Sequence, residues 1–394
     1  MKKLISFVLI CLLMVTMVTG CSESPKNGSD AANSNTAPVE PKSAGGAANA
    51  DNNAAGAGGE NAVNLSAVPK EAQFISNLSE LFDVKVDIKK LGENVEKKIG
   101  HKPVILVSIY DTQNEWNTRT LQSAIQAAKD AGVEVISANS QSDINKQISD
   151  IQNGIGRKVD AIVIPGGLAS SLQEVLKAAK DANIPVTTCD VPSEYVTSCV
   201  TADNYSGGVQ LAAKMCADLK GKGNVAVLYS PGWHTVEVRR WMLDEVLKDF
   251  PSVKIVTEAP INIKDPMNGT MNTMQNILQK YPEGELDAVI TFWGLPAIAA
   301  SKVIESQGRS EIGVYCADVD LGVVQDLQKE DGAIRAVFGQ VPQKMGYIAT
   351  VMALKALNGD NDVPVQMWAP HTLVTKENVD AFGDWNFGGD WKKQ

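Results

Sequence analysis

The chain is poor in aromatic side chains, has three histidines among 394 residues, and carries no excess of positive charge. Lys and Arg number 36 against 46 Asp and Glu, for a net charge of −10. A nucleic-acid surface is normally basic, so that class of partner is excluded. The histidines are scattered and no Cys-x-x-Cys or His-Glu-x-x-His occurs, which argues against a metal site. There is no Gly-x-Ser-x-Gly elbow and no Walker loop. Asn153-Gly154-Ile155-Gly156 has two glycines but ends a helical pattern and lacks the third, so it is not a dinucleotide loop. These absences leave no cofactor to expect and no enzyme signature. After the N-terminus, no apolar run is long enough to cross a bilayer.

One apolar run does stand at the start. Lys2 and Lys3 precede uncharged residues from Leu4 to Val18, followed by Thr19, Gly20 and Cys21. The layout is that of an export signal. Ending on a cysteine, it resembles the lipobox of bacterial lipoproteins. That resemblance implies removal of residues 1–20, acylation of the Cys21 thiol, and a membrane anchor outside the cytoplasm. Residues 21–66 are Ala, Asn, Gly and Ser with almost no large apolar side chain. They bury too little apolar surface to offset chain entropy and read as a disordered leash. In residues 67–100, Phe74, Ile75, Leu78, Leu81 and Phe82 recur at helical spacing, whereas Val84, Val86 and Ile88 alternate in a way that also allows a strand.

From about Lys102 the pattern is a steady alternation of short apolar runs and amphipathic helices. Val104 to Val107, Ala161 to Ile164, Val225 to Leu228 and Ala288 to Thr291 are continuous apolar strands, each followed by a helical repeat such as Leu121, Ala124, Ile125 and Ala128. Such strands imply parallel sheets covered on both faces. The rhythm breaks near Asp203 and restarts after Gly207-Gly208, which predicts two similar α/β lobes. Ligands of open α/β sheets sit beyond the carboxyl ends of the strands. Those ends carry Asp111, Gln113, Asn114, Trp116 and Asn117, then Asp190, then Asp203-Asn204 in the first lobe. In the second they carry Trp233 and His234, with Arg239 in the next helix, then Phe292-Trp293, Asp318 and Gln340. Acids and amides for hydroxyls, with flat aromatic faces for C–H surfaces, are the chemistry of sugar recognition. Bland alternatives remain at this level: Trp116 and Trp293 as core aromatics, Asp203 as a helix cap, Trp233 and His234 as rim residues, and His101 and His371 as surface or turn residues.

The stretch from about Lys102 to Asn378 resembles the type I periplasmic sugar-binding proteins, the ribose-binding-protein-like solute-binding lipoproteins of ABC transporters. Asp203-Asn204-Tyr205-Ser206-Gly207-Gly208, Ile184-Pro185-Val186 running to Asp190, Met274 to Leu278, and Gln340-Val341-Pro342 carry the likeness. It implies two doubly wound parallel-sheet lobes joined by a three-segment hinge. Residues 101–203 with 341–369 would form one lobe and 204–340 with 370–383 the other, leaving a tail at 384–394. The ligand, a monosaccharide or related polyol, would meet Asn114, Trp116, Asn117 and Asp190 from the first lobe. Arg239, Trp293, Asp318 and Gln340 would meet it from the second. Two departures argue against ribose itself: Val191 stands where the family has an arginine, and Trp293 where an asparagine is usual. Implied partners are ABC permease subunits and the membrane, with the protein a monomer. The alternative role is a sensory one, presenting ligand to a chemoreceptor or histidine kinase. With Cys11 lost and Cys21 lipidated, four cysteines remain, and Cys189 and Cys199 are either bridged or free buried thiols.

The lipobox reading has a direct check. Cys21→Ser is expected to move the protein from membrane to soluble fractions or to leave it unprocessed on a gel. Unchanged processing and membrane retention contradict it.

Overall fold

The computed structural model describes residues 86–382. Cys21, the signal, the leash, most of the 67–100 segment and the 384–394 tail lie outside them. The first described helix, α1 (Ile88–Ile99), is capped by Asp87, which accepts from the Lys90 N–H at 3.0 Å. Ile88, Leu91 and Val95 repeat at helical spacing and are buried, so the strand alternative is overturned at Ile88.

Strand and helix then alternate. The first run is β1 (Val104–Ile109), α2 (Glu115–Asp130), β2 (Glu134–Asn139), α3 (Ile144–Gly156), β3 (Ala161–Ile164), α4 (Ala169–Asp181), β4 (Val186–Cys189) and β5 (Ser198–Ala202). The second run is α5 (Asn204–Asp218), β6 (Lys222–Tyr229), α6 (His234–Asp249), β7 (Ser252–Pro260), α7 (Pro266–Lys280), β8 (Ala288–Thr291), α8 (Gly294–Ser306), β9 (Gly313–Ala317), α9 (Leu321–Gln328) and β10 (Ile334–Gly339). The chain closes with α10 (Pro342–Asn358), β11 (Gln366–Ala369) and β12 (Thr372–Thr375).

Two six-stranded sheets result, ordered β11-β5-β4-β3-β1-β2 and β12-β10-β9-β8-β6-β7. Every pairing is parallel except β10 with β12. Strands β3, β4, β5, β8 and β9 are buried along their whole length, as sheets covered on both faces require. This is the doubly wound two-lobe architecture expected from the sequence. The chain passes between sheets at Asp203, at Gln340-Val341 and at Pro370-His371. Asp203 caps α5, accepting from the Ser206 N–H at 3.0 Å. The last two strands carry little sequence signature, being four residues each and fenced by Pro364 and Pro370.

Two sequence alternatives are resolved here. Cys189, Cys199, Cys216 and Cys316 are free and buried. Cys189 pairs with Val200 and Cys199 with Thr188, so the two thiols stand one register step apart and leave opposite faces of the sheet. A bridge between them is therefore geometrically unavailable. His101 is exposed and 2.9 Å from Asp160, as a surface residue should be. His371 departs from that expectation. It is half-buried at the third crossing, edge-on to Phe338 at 5.1 Å, and burial lowers its basicity.

The first lobe is tied to the hinge by α10, which starts at the second crossing and packs on α2. A Cβ at Gly346 would lie 2.1 Å from the Thr120 carbonyl oxygen, so only glycine allows this approach. Gly346→Ala is expected to destabilise the protein by about 1–3 kcal/mol through overpacking. A lowered urea midpoint at constant slope would show it, and an unchanged midpoint would refute the close-packing account.

Candidate functional site

A cleft of about 730 Å³, its open mouth included, lies between the carboxyl ends of the two sheets. All eight residues singled out from the sequence line it: Asn114, Trp116, Asn117, Asp190, Arg239, Trp293, Asp318 and Gln340. They converge because parallel strands deliver their carboxyl ends to one edge of each sheet.

The first lobe supplies a polar wall at the start of α2. Asn114 caps the helix, accepting from the Asn117 N–H at 2.7 Å. Asn117 Nδ2 donates to Asp111 Oδ1 at 3.0 Å, and Ser142 Oγ donates to Asp111 Oδ2 at 3.1 Å. Asp111 is thereby engaged on both oxygens and holds the wall in place. Trp116 belongs to the lobe core and faces the cleft as well, and its buried Nε1 has no hydrogen-bond partner. Gly166 beside this wall has φ 151°, a backbone conformation that side-chain-bearing residues rarely adopt.

Two carboxylates occupy equivalent places. Asp190 follows β4 and Asp318 follows β9, at φ 58° and 71°, a left-handed conformation unusual for a non-glycine residue. In each case the backbone N–H donates to the neighbouring strand, Asp190 to Val200 at 3.1 Å and Asp318 to Phe338 at 3.0 Å. One oxygen of each is held from a hinge segment. Thr201 Oγ1 donates to Asp190 Oδ1 at 2.6 Å, and Gln340 Nε2 donates to Asp318 Oδ1 at 2.7 Å. Among the described residues no side chain donates to Oδ2 of either, and the buried Gln340 Oε1 has no partner.

Arg239, on α6, is 2 % exposed. Its Nε donates to Asn204 Oδ1 at 2.8 Å and its Nη1 to the Phe292 carbonyl at 2.6 Å, while the guanidinium lies 5.1 Å over the Phe338 ring. Three of its five N–H groups are left over. Asn204 Nδ2 in turn donates to Thr201 Oγ1 at 3.1 Å. A hydrogen-bonded relay therefore runs Asp190–Thr201–Asn204–Arg239, from one lobe to the other through the first crossing. Sequence reasoning missed Thr201, and it placed Asn204 at a strand end without its bond to Arg239, because Asp-Asn before a helix reads as a cap and the Arg239 partner lies far along the chain.

Burial governs the charges. It pushes Asp190 up to about 6 against the pull of Thr201 and Arg239, with Asp318 adding like-charge repulsion. Burial also raises Asp318, opposed by Arg239 and Gln340. It lowers Arg239, which Asp318 and Asp190 offset. The one cation lining the cleft thus already answers to two carboxylates, which disfavours an anionic ligand and suits a neutral one that both donates and accepts.

Trp233 and Trp293 hold the N-cap positions of α6 and α8, where neither offers a side-chain capping bond. A Ser or Asp would stabilise those helices better, so both indoles sit there at some cost to helix stability. Trp293 also packs on the second-lobe core while facing the cleft, so the core and cleft readings of both tryptophans hold together. Trp233 lines the cleft and meets Tyr110 of the other lobe edge-on at 5.2 Å. The lobes touch again where Leu321 N donates to Glu115 Oε2 at 3.1 Å and Arg119 Nη1 donates to the Val319 carbonyl at 3.4 Å. Val191 is fully buried in the first-lobe core, so that position contributes nothing to the cleft. The sequence reading also passed over Ile263, Pro266 and Leu295. They are apolar residues at strand ends, and a search for polar groups does not register them.

A periplasmic binding protein domain model matches residues 105–361. The ribose import binding protein of Bacillus subtilis is 30% identical over 254 residues, 64% of this chain and 80% of that protein. The xylitol-binding protein of Mycolicibacterium smegmatis is 25% identical over 291 residues, 72% of this chain and 79% of its own length. Among solved structures, an ABC transporter solute-binding protein of Agrobacterium vitis with bound allitol is 28% identical, with a TM-score of 0.70, covering 72% of this chain and 99% of its own.

The charge arrangement makes a pH prediction. The folded chain holds a proton on Asp190 up to about pH 6, whereas an unfolded carboxyl loses it near 3.8. Stability associated with that proton is present below the lower value and lost as pH rises through about 6. Asp190→Asn keeps the Thr201 bond and carries no charge. It is expected to raise the melting temperature at about pH 7.5 and to change it little at about pH 4. The same shift at both pH values would contradict the assignment.

Proposed function

The chain belongs to the periplasmic binding protein family, and on that premise we propose that it captures a monosaccharide or related polyol between its two lobes and delivers it to an ABC import permease. It is a binding protein and not an enzyme, and its family works outside the cytoplasm. On this reading Cys21 carries the lipid anchor and residues 21–66 the leash, so that a monomer patrols the membrane surface within reach of the permease. No observation favours the sensory alternative.

The observation that carries the proposal is the pair of hinge-held carboxylates flanking Arg239. Hydroxyls donate to Asp190 Oδ2, Asp318 Oδ2 and Gln340 Oε1, and accept from the free N–H groups of Arg239, from Trp116 Nε1 and from Asn114 Nδ2. Asn117 is fixed by Asp111 and presents its Oδ1 at the same wall. Trp116 and Trp293 stack on the ring or carbon chain. Ligand bound to both lobes stabilises the closed arrangement, and closure excludes water from these bonds. The closed shape is what a permease can read.

A thermal-shift panel of pentoses, hexoses, polyols and deoxysugars is expected to yield at least one ligand that raises the melting temperature by mass action. Small-angle scattering should then show a smaller radius of gyration with that ligand. Leaving a buried polar partner unmatched costs about 1–3 kcal/mol, so Asp318→Ala and Arg239→Ala should weaken binding roughly tenfold to a hundredfold or more in calorimetry. Arg239→Ala should also lower stability, because Asn204 and the Phe292 carbonyl lose their donor. Near-native affinity in both variants would overturn the site assignment.

A further inference from the structure

The second-lobe wall of the cleft is polar at one end and apolar at the other, and the strand order shows which end is which. In the second sheet the hinge edge is β12-β10 and the far edge is β7. Moving outward from the hinge, Gln340 follows β10 and Asp318 follows β9. Trp293 and Leu295 follow β8, Trp233 and Val236 follow β6, and Ile263 and Pro266 follow β7. Arg239 also reaches to the hinge end, where it meets Asn204 and Phe338. Beyond Asp318 the second lobe therefore presents mostly rings and hydrocarbon, with the Thr235 hydroxyl and the indole N–H groups of Trp233 and Trp293 its polar groups there.

On the first lobe the polar side chains brace one another: Asp111 accepts from Asn117 and Ser142, and Gln113 Nε2 donates to Ser142 Oγ at 2.6 Å. Asn117 Oδ1 and Asn114 Nδ2 therefore serve hydroxyls on that side of the ligand only, opposite the second-lobe wall. A ligand hydroxyl placed against Ile263, Pro266 and Leu295 would lose its water and find no partner on those side chains, whereas a methyl or methylene would gain contact.

We propose that the ligand is a neutral sugar or polyol whose terminal carbon bears hydrogen or an alkyl group in place of a hydroxyl, with that end seated on Ile263, Pro266 and Leu295. The inference deepens the sugar-binding reading and rests on it. The hydroxylated part occupies the hinge end, between Asp190, Asp318 and Arg239. The apolar terminus points along β8 and β6 toward β7, against the hydrocarbon of the second lobe.

Calorimetry with matched probes tests this on the full folded protein: D-ribose against 5-deoxy-D-ribose, D-galactose against 6-deoxy-D-galactose, and L-mannose against 6-deoxy-L-mannose. In at least one pair the deoxy member is expected to bind tenfold or more tighter than its parent. Leu295→Asn and Ile263→Asn, both at partly exposed positions, should cut that ratio mainly by weakening the deoxy member. A preference below tenfold in every pair that binds, or a ratio unchanged in both variants, overturns the inference while leaving sugar binding intact. No binding by any of the six probes counts against the sugar-binding reading itself and removes this inference with it.

Discussion

The structure turns on one hydrogen-bonded relay, Asp190–Thr201–Asn204–Arg239, which links a carboxylate of one lobe to a guanidinium of the other. It runs through the point where the chain first crosses between sheets, so any change in hinge geometry moves both charged ends. Removing a guanidinium from water is expensive unless it is paired and hydrogen-bonded. Here Asn204, the Phe292 carbonyl and the Phe338 ring fix it, and two buried carboxylates balance it. The second crossing repeats the device in simpler form, with Gln340 holding Asp318. Both cleft carboxylates are thus held by residues at or beside a hinge crossing.

Holding the carboxylates in this way couples binding to shape. A ligand that bonds to Asp190 in one lobe and Asp318 in the other favours the arrangement in which both are within reach. It shifts the population by as much as its affinity differs between open and closed forms. Contacts away from the hinge, such as Tyr110 with Trp233 and Glu115 with the Leu321 N–H, are small. They assist closure without fixing it, which leaves the ligand to decide.

Much of this was legible in the sequence for a physical reason. Continuous apolar strands alternating with amphipathic helices admit few arrangements, and in those arrangements polar residues just after strands face one cleft. That rule alone brings Asp190, Asp318 and Gln340 together. What escaped it depends on registry and on distant contacts. Asn204 looks like part of a cap until Arg239 is placed beside it. Cys189 and Cys199 look close until strand pairing sends them to opposite faces. Ile263 and Leu295 carry no polar signature, although they line the cleft. His371 has no motif around it and is half-buried beside Ser206 of α5 and Phe338 of β10.

The claim at the centre of this account is that Asp190 and Arg239 act as one unit across the hinge. A calorimetric double-mutant cycle measures it most directly, comparing Asp190→Ala, Arg239→Ala and the double variant for the tightest ligand in the sugar panel. Contacting or networked residues show interaction energies of about 0.5–3 kcal/mol, whereas independent sites add within roughly 0.3–0.5 kcal/mol. The relay predicts that the second substitution costs at least about 1 kcal/mol less once the first has been made. Simple additivity of the two losses would contradict it.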